Sequence, residues 1–536
     1  MKKIQLLDCT LRDGAYIVEG NFGKNAIGGI ISQLQEANVD IIEIGWLKNP
    51  EYKEGSTYYH TPDDALPFLK NKKPDVTYSA MIDWDRYDLN YLPPYDGRSI
   101  DAIRVVFPRE KYKEAVKLAD PIRSKGYRVF FQAANTLGYT DENLIDMVHA
   151  INSVHPESLS VVDTFGAMYE EDLARIISIV DHNLHKGIKL GLHTHNNLQQ
   201  SFSLSMAFVK MFMGSDREIM VDGSLVGMGR GAGNATTELL AGYLNRFCHK
   251  DYNLNVIMDA IDMYMTNFIS EYEWGYSIPF FLSGTYCAHV NNIAYLKKSH
   301  RTTNADIKGV LESMPVDKRL VYDYDLLEKK YIEYKQKEID DSETISRLRS
   351  ELAKKQVCLI APGANASKPF EQMENVKTSS SIVRIGVNAV VEGYNYDYLF
   401  FSNEMRYKYA RDAYGDIVNS TKVIITSNIL RTDDYSGTEY VVNYNDLTKR
   451  GWVHFDNSTI TCMRLMDKMH VKDILLVGFD GYKQKSTYSD GLLQSDIDAD
   501  EKTVLNTEIA DMLDDFRRMH TDIAITFLTK SVFCEE

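Results

Sequence analysis

A chain of 536 residues is too long for one ordinary core and divides into two or three domains. Its 44% hydrophobic and 25% charged residues exclude a disordered chain, and a net charge of -16 excludes a general nucleic-acid binder, which needs clustered Lys and Arg. Six scattered cysteines (Cys9, Cys248, Cys287, Cys358, Cys462 and Cys534) lack CxxC spacing and fit reduced thiols rather than a disulfide frame or zinc knuckle.

The opening "MKKIQLLDCT" reaches Asp8 before any signal-peptide core could form, and no later apolar run approaches a membrane span. The expectation is a soluble, cytoplasmic protein with no membrane contact. Short β-rich runs follow in chain order: "KIQLLDCT" (3–10), "VDIIEIGW" (39–46), "VTYSAMI" (76–82), "AIRVVF" (102–107), "YRVFFQA" (127–133), "LSVVDT" (159–164), "IKLGLHT" (188–194) and "IMVDGSLV" (219–226). Between them lie stretches such as "NAIGGIISQLQEANV" and "EDLARIISIVDHNLHKG", whose apolar residues recur at helical spacing. Strands alternating with helices in this number predict a TIM (β/α)8 barrel over residues 1–300, with an open doubly wound sheet as the alternative.

The segment 301–355 is highly charged and reads as a helical linker. A second Rossmann-like α/β domain is predicted over 356–536. Its strands are read at "QVCLI", "SIVRIGVNAVV", "YDYLFFSN", "TKVIITSN", "EYVVNYN", "DILLVGFDGY" and "IAITFLTK", forming a mostly parallel sheet.

Barrel enzymes carry their reactive groups at the carboxyl ends of the strands. Those ends here hold Arg12, Asp13, Glu43, Asp163, His193 and His195. On a strand, residues i and i+2 share a face, so the "HTH" pair projects into the barrel mouth. Two imidazoles and a carboxylate make a facial site for a divalent cation with open positions for substrate, and Asp13 is the natural third ligand. The plainer alternative is that the histidines hydrogen-bond to neighbouring loops.

Together, "DCTLRDG", "VVDTFGAM", "GLHTHNN" and "GSLVGMGRGAGN" resemble the metal-dependent lyase and synthase superfamily of hydroxymethylglutaryl-CoA lyase and isopropylmalate synthase (the DRE-TIM metallolyases). Among its members the likeness is closest to the 4-hydroxy-2-oxovalerate aldolases, and it covers residues 1–300. The resemblance implies that Asp13, His193 and His195 bind Mn²⁺ or Mg²⁺. The ion would stabilise the enolate of a 2-oxo acid such as pyruvate, which reacts with an aldehyde. It further implies catalytic roles for Arg12, Tyr16 and Tyr286, substrate contacts at Thr164, Glu43, Gln132 and Arg104, and a homo-oligomer, expected as a dimer. Asp8 is read as supporting the site from behind. The glycine-rich "GMGRGAGN" (227–234) is read as shaping the pocket floor rather than cradling a nucleotide.

The sequence departs from the aldolases at one place. They follow "RDG" with a hydrophobic residue and a histidine that takes the substrate hydroxyl's proton, whereas "RDGAY" puts Tyr16 there. An ordinary phenol titrates near ~10 and is a poor base at neutral pH. Tyr16 therefore either orients a substrate hydroxyl, or the substrate differs.

In the second domain, "LIAPGANAS" and "GFDGY" resemble the nucleotide-binding core of certain bacterial sialyltransferases, with Asn388 and Asp480 as candidate contacts to a nucleotide-linked sugar. His454 lies near the corresponding region without aligning. The leading expectation is a metal-dependent aldolase forming or cleaving a C–C bond beside a 2-oxo acid. The alternatives are a Claisen-type acyl-CoA synthase and a non-catalytic sugar-nucleotide-binding protein of surface polysaccharide synthesis.

Overall fold

The computed structural model describes residues 4–534 except 301, 336–337, 430–436, 450, 453, 455–456, 483–487, 490–491 and 493–498. The chain forms two compact units. One comprises Met1–Ala294 with Pro315–Tyr322, and the other Tyr295–Met314 with Asp323–Glu536.

Nine strands build the first unit: β1 (Ile4–Asp8), β2 (Ile41–Leu47), β3 (Tyr58–Tyr59), β4 (Thr77–Asp83), β5 (Ala102–Phe107), β6 (Arg128–Ala133), β7 (Ser158–Asp163), β8 (Lys189–Thr194) and β9 (Ile219–Gly223). All pair in parallel in the order β1-β9-β8-β7-β6-β5-β4-β2, and β1 also pairs with β2 through Leu7↔Ile41 and Asp8↔Ile42. That last pairing closes the sheet, so the fold is the eight-stranded barrel and not the open alternative. The two-residue β3 adds beside β2.

Closure explains why β2, "IIEIGWL", is buried along its whole length: one face meets the barrel interior and the other the helices. Inside the barrel, Leu7, Cys9, Ile41, Ala102, Phe130 and Met220 pack as an apolar layer. Strand side chains alternate, so the residues two positions further on occupy the next interior layer. Those residues are Glu43, Arg104, Gln132 and Asp222, one layer nearer the carboxyl ends. Outside, the helix Lys24–Glu36 buries Ile27, Ile30, Ile31 and Leu34, each contributing roughly 1.5–3 kcal/mol of transfer free energy.

The second unit contains β10 (Gln356–Ile360), β11 (Ile382–Val387), β12 (Tyr398–Phe401), β13 (Lys422–Thr426), β14 (Glu439–Val442), β15 (Asp473–Val477) and β16 (Ala524–Phe527). They form one sheet in the order β14-β13-β12-β11-β10-β15-β16, every pairing parallel. Strand order reverses at β10, so the topological switch point lies between β10 and β15.

The expected separate linker is not observed among the described residues; 301, 336 and 337 lie outside them. Helices Tyr324–Lys335 and Ser342–Leu352 form, but they belong to the second unit. Leu348 and Leu352 are fully buried with Val357 and Leu359 in that unit's core. Their spaced leucines give the charged segment an apolar face that the sheet covers.

Candidate metal centre and catalytic pocket

Asp13 sits in a single helical turn, Thr10–Asp13, that follows β1, and His193 lies in β8 with His195 just beyond its end. The turn is held by Asp8, whose carboxylate accepts from Thr10 N (2.9 Å) and Thr237 Oγ1 (2.5 Å). Asp8 is buried and touches the frame rather than the pocket; burial pushes its carboxyl up to about 6.

One ligand atom each of Asp13, His193 and His195 lies within 4.8 Å of the others. His195 Nδ1 donates to the Asp163 carbonyl (3.0 Å), which leaves Nε2 facing Asp13 Oδ2 at 3.6 Å. His193 Nδ1 lies 3.1 Å from Asp222 Oδ2, and its buried Nε2 has no hydrogen-bond partner among the described residues. An orphaned ring nitrogen, a second one beside a carboxylate, and outer partners on both Nδ1 atoms form a donor set that fits a divalent cation. Although burial works to raise Asp13's pKa, the Arg12 guanidinium and the two imidazoles hold it well below the usual carboxylate range. Burial in turn lowers the pKa of His193. Both shifts favour the forms that ligate metal.

A cavity of about 180 Å³ opens on this triad. Arg12, Tyr16, Gln132 and Thr164 line it, joined by Asp83, Asn197, Arg230 and His289. Arg12 is anchored from behind: its Nε donates to Glu43 Oε2 (2.7 Å) and its Nη1 to Asp13 Oδ1. The Thr164 hydroxyl accepts from Asn135 N (2.7 Å), so its own proton is free for a ligand. Gln132 Nε2 donates to Ser160 Oγ (2.9 Å).

Three assigned residues lie elsewhere. Arg104 is fully buried, bridging Glu43 Oε2 (2.8 Å) and Asp222 Oδ2 (2.5 Å). Glu43 and Arg104 are absent from the cavity lining and instead brace Arg12 and Asp222 through ion pairs. Tyr286 is absent from the cavity lining. Its ring instead lies under the Arg319 guanidinium, 5.5 Å from the centroid, and His289, three residues on, takes a place in the wall.

Desolvation first, then the Asp13 charge, raise the Tyr16 phenol further above its ordinary value. Its ring packs edge-on to Trp46 (5.9 Å) and carries the Arg230 guanidinium 5.1 Å from its centroid. Sequence reasoning missed Asp222, Asn197, Arg230 and His289. Asp222 carried a usable signal, standing two residues after the interior Met220. The others come from loops without periodicity.

The loop containing Arg230 shows why it is glycine-rich. A Cβ on Gly229 would meet Asn234 Nδ2 at 2.3 Å and Asp13 Oδ2 at 2.5 Å, and one on Gly233 (φ +80) would meet the Gly227 carbonyl at 2.0 Å. Asn234 Nδ2 donates to Asp13 Oδ2 (2.7 Å), and Ala232 N donates to Asn197 Oδ1 (2.8 Å). The glycines let the backbone close on Asp13.

Residues 106–263 match the HMGL-like family, and within the same barrel Asp13, His193 and His195 form a cluster that could hold a metal ion. Among curated relatives, the chain is 26% identical over 279 residues to a 4-hydroxy-2-oxovalerate aldolase of Chloroflexus aurantiacus, covering 49% of this chain and 75% of the relative. It is also 26% identical over 265 residues to an oxaloacetate decarboxylase of Mycobacterium tuberculosis, covering 48% and 74%. Among solved structures, the N-terminal domain of a putative aldolase from Bacteroides vulgatus aligns at 25% identity and a TM-score of 0.47, covering 55% of this chain and 97% of that domain.

In the second unit, a cavity of about 530 Å³ lies at the carboxyl ends of β10, β11, β12 and β15. Asn388 and Asp480 both line it. Asn388 has a left-handed backbone (φ 54), its Oδ1 accepts from Ser402 N (2.9 Å), and its Nδ2 donates to Ser458 Oγ. His454 is not in the lining; its Nδ1 pairs with Glu508 Oε2 at 2.7 Å.

Proposed function

We propose that the barrel is a divalent-metal-dependent aldolase that makes or breaks the C–C bond next to the keto group of a 2-oxo acid. The single observation that carries the reading is the buried Asp13–His193–His195 triad opening on a cavity with Arg12, Gln132 and Thr164 in its wall. The relatives' names support the same reaction class. Mn²⁺ or Mg²⁺ in the triad supplies Lewis-acid stabilisation of the negative charge that develops on the keto oxygen.

The chain's own residues do the rest. Arg12 presents fixed positive charge beside the triad, and the Thr164 hydroxyl donates to the substrate carboxylate. Gln132 closes the floor. Tyr16, whose phenol stays protonated at neutral pH, donates a hydrogen bond and accepts no proton. In the forward direction pyruvate's methyl loses one proton, its carbon bonds to the aldehyde carbon, and the aldehyde oxygen takes up a proton; cleavage reverses each change.

The metal test is direct. Purified protein should bind Mn²⁺ at one equivalent, and His193→Ala should abolish that binding while circular dichroism stays unchanged. Equal binding by the variant would remove the triad from the reading. Nothing in the pocket favours the Claisen alternative over this one.

For the second unit we propose a nucleotide-linked sugar as ligand. Support comes from the position of its cavity at the switch point, where parallel α/β sheets bind ligands, and from the hydroxyl and amide groups of Asn388, Ser402 and Ser458 in its wall. Titration calorimetry with cytidine and uridine nucleotides checks it. Binding weakened by Ser458→Ala supports the assignment, and no heat with any nucleotide counts against it.

A further inference from the structure

Arg12 and Arg104, the other arginines placed in and beneath the barrel mouth, are each held by two carboxylates. Arg230 is different. It is half-buried in the wall of the catalytic cavity and has no carboxylate within ion-pair distance among the described residues. Its Nη2 donates to His289 Nε2 (2.7 Å), and its guanidinium lies over the Tyr16 ring. His289 adds no compensating negative charge; burial and Arg230 together push its pKa down to about 3, so it stays neutral. Asp83 also lines the cavity, but its carboxylate is shared with Lys48, whose Nζ lies 3.9 Å away. A guanidinium held by a neutral imidazole and an aromatic face, inside a substrate cavity, keeps its fork available for an anion.

We infer that Arg230 is the anion anchor for the second substrate, with Tyr16 and His289 positioning it, so that the aldehyde carries a carboxylate or phosphate group. This rests on the aldolase reading and deepens it. It also accounts for the departure at Tyr16: the tyrosine serves as the platform of an anion subsite that an imidazole base at that position would not provide.

The test compares aldehydes that differ only in charge. With Mn²⁺ and pyruvate, kcat/KM is measured for succinic semialdehyde against butanal, and for glyceraldehyde 3-phosphate against glyceraldehyde. The native enzyme should favour one anionic member by at least about tenfold, and the favoured pair tells carboxylate from phosphate. Arg230→Gln should bring that ratio toward one, Tyr16→Phe should keep it, and Tyr16→Leu should lower it. Each ratio is controlled internally for folding by the neutral aldehyde. A native ratio near one, or a ratio unchanged in Arg230→Gln, overturns the inference. Should no aldehyde react, the aldolase reading falls separately. Calorimetric titration of succinate and inorganic phosphate then decides the anion site: binding at least about tenfold weaker in Arg230→Gln supports it, and equal or absent binding overturns it.

Discussion

Asp222 faces two partners at once, His193 Nδ1 at 3.1 Å and Arg104 Nη2 at 2.5 Å, so neutralising it acts on both metal binding and stability. Asp222→Asn should weaken Mn²⁺ binding about 10–100-fold, because the imidazole loses the carboxylate that orients it. It should also cost on the order of 3–5 kcal/mol in urea unfolding, since the buried Arg104 is left undercompensated. Asp8 gives a prediction with the opposite pH sense from an ordinary salt-bridged carboxylate. Its folded pKa of about 6 lies above the ordinary carboxylate value of 3.8, so the native state binds more protons between those values. Its contribution is therefore greatest at low pH and is lost as pH rises toward 6. The stability difference between native protein and Asp8→Asn should shift in the variant's favour from pH 4 to pH 7, read as urea midpoints. At this scale Asp13, His193 and His195 were legible because motif and strand period agree. Arg230 and His289 were not, because no local pattern announces which loop residue turns into a cavity.

Among the elements, the loop from Gly227 to Asn234 couples backbone shape to Asp13, through Gly229 and Asn234. Gly229→Ala drives a methyl against Asn234 and Asp13, and should reduce Mn²⁺ affinity more than it reduces stability. Gly233→Ala places its methyl against the Gly227 carbonyl in a left-handed conformation, and should cost about 1–3 kcal/mol in denaturant unfolding. The strands themselves were readable from their apolar runs, and the helices Lys24–Glu36 and Glu170–Asn183 from their period. Counting strand ends did not separate the residues that line the pocket from those that brace it. Glu43 and Arg104 share an interior layer with Gln132, which lines the cavity; they differ in being held in buried ion pairs with Arg12, Asp222 and each other.

For the whole molecule, each unit has its own hydrophobic core: one around the barrel, the other around the sheet that includes Val357, Leu359 and Ile385. Calorimetric unfolding should resolve two transitions, of which Mn²⁺ raises only the barrel's, since a ligand stabilises the unit that binds it. Equal displacement of both would contradict that assignment. The division into two α/β regions was visible in the sequence, but the charged helices between them were not separable from the second unit. Their charges dominate the composition, whereas the few leucines that fix their place do not. The most direct test of the central claim is the exchange of pyruvate methyl protons in D₂O, followed by proton NMR with Mn²⁺ and no aldehyde. The triad and its cavity predict steady loss of the methyl signal with native protein, and none with His193→Ala. A methyl signal that persists with Mn²⁺-loaded native protein would contradict the aldolase assignment.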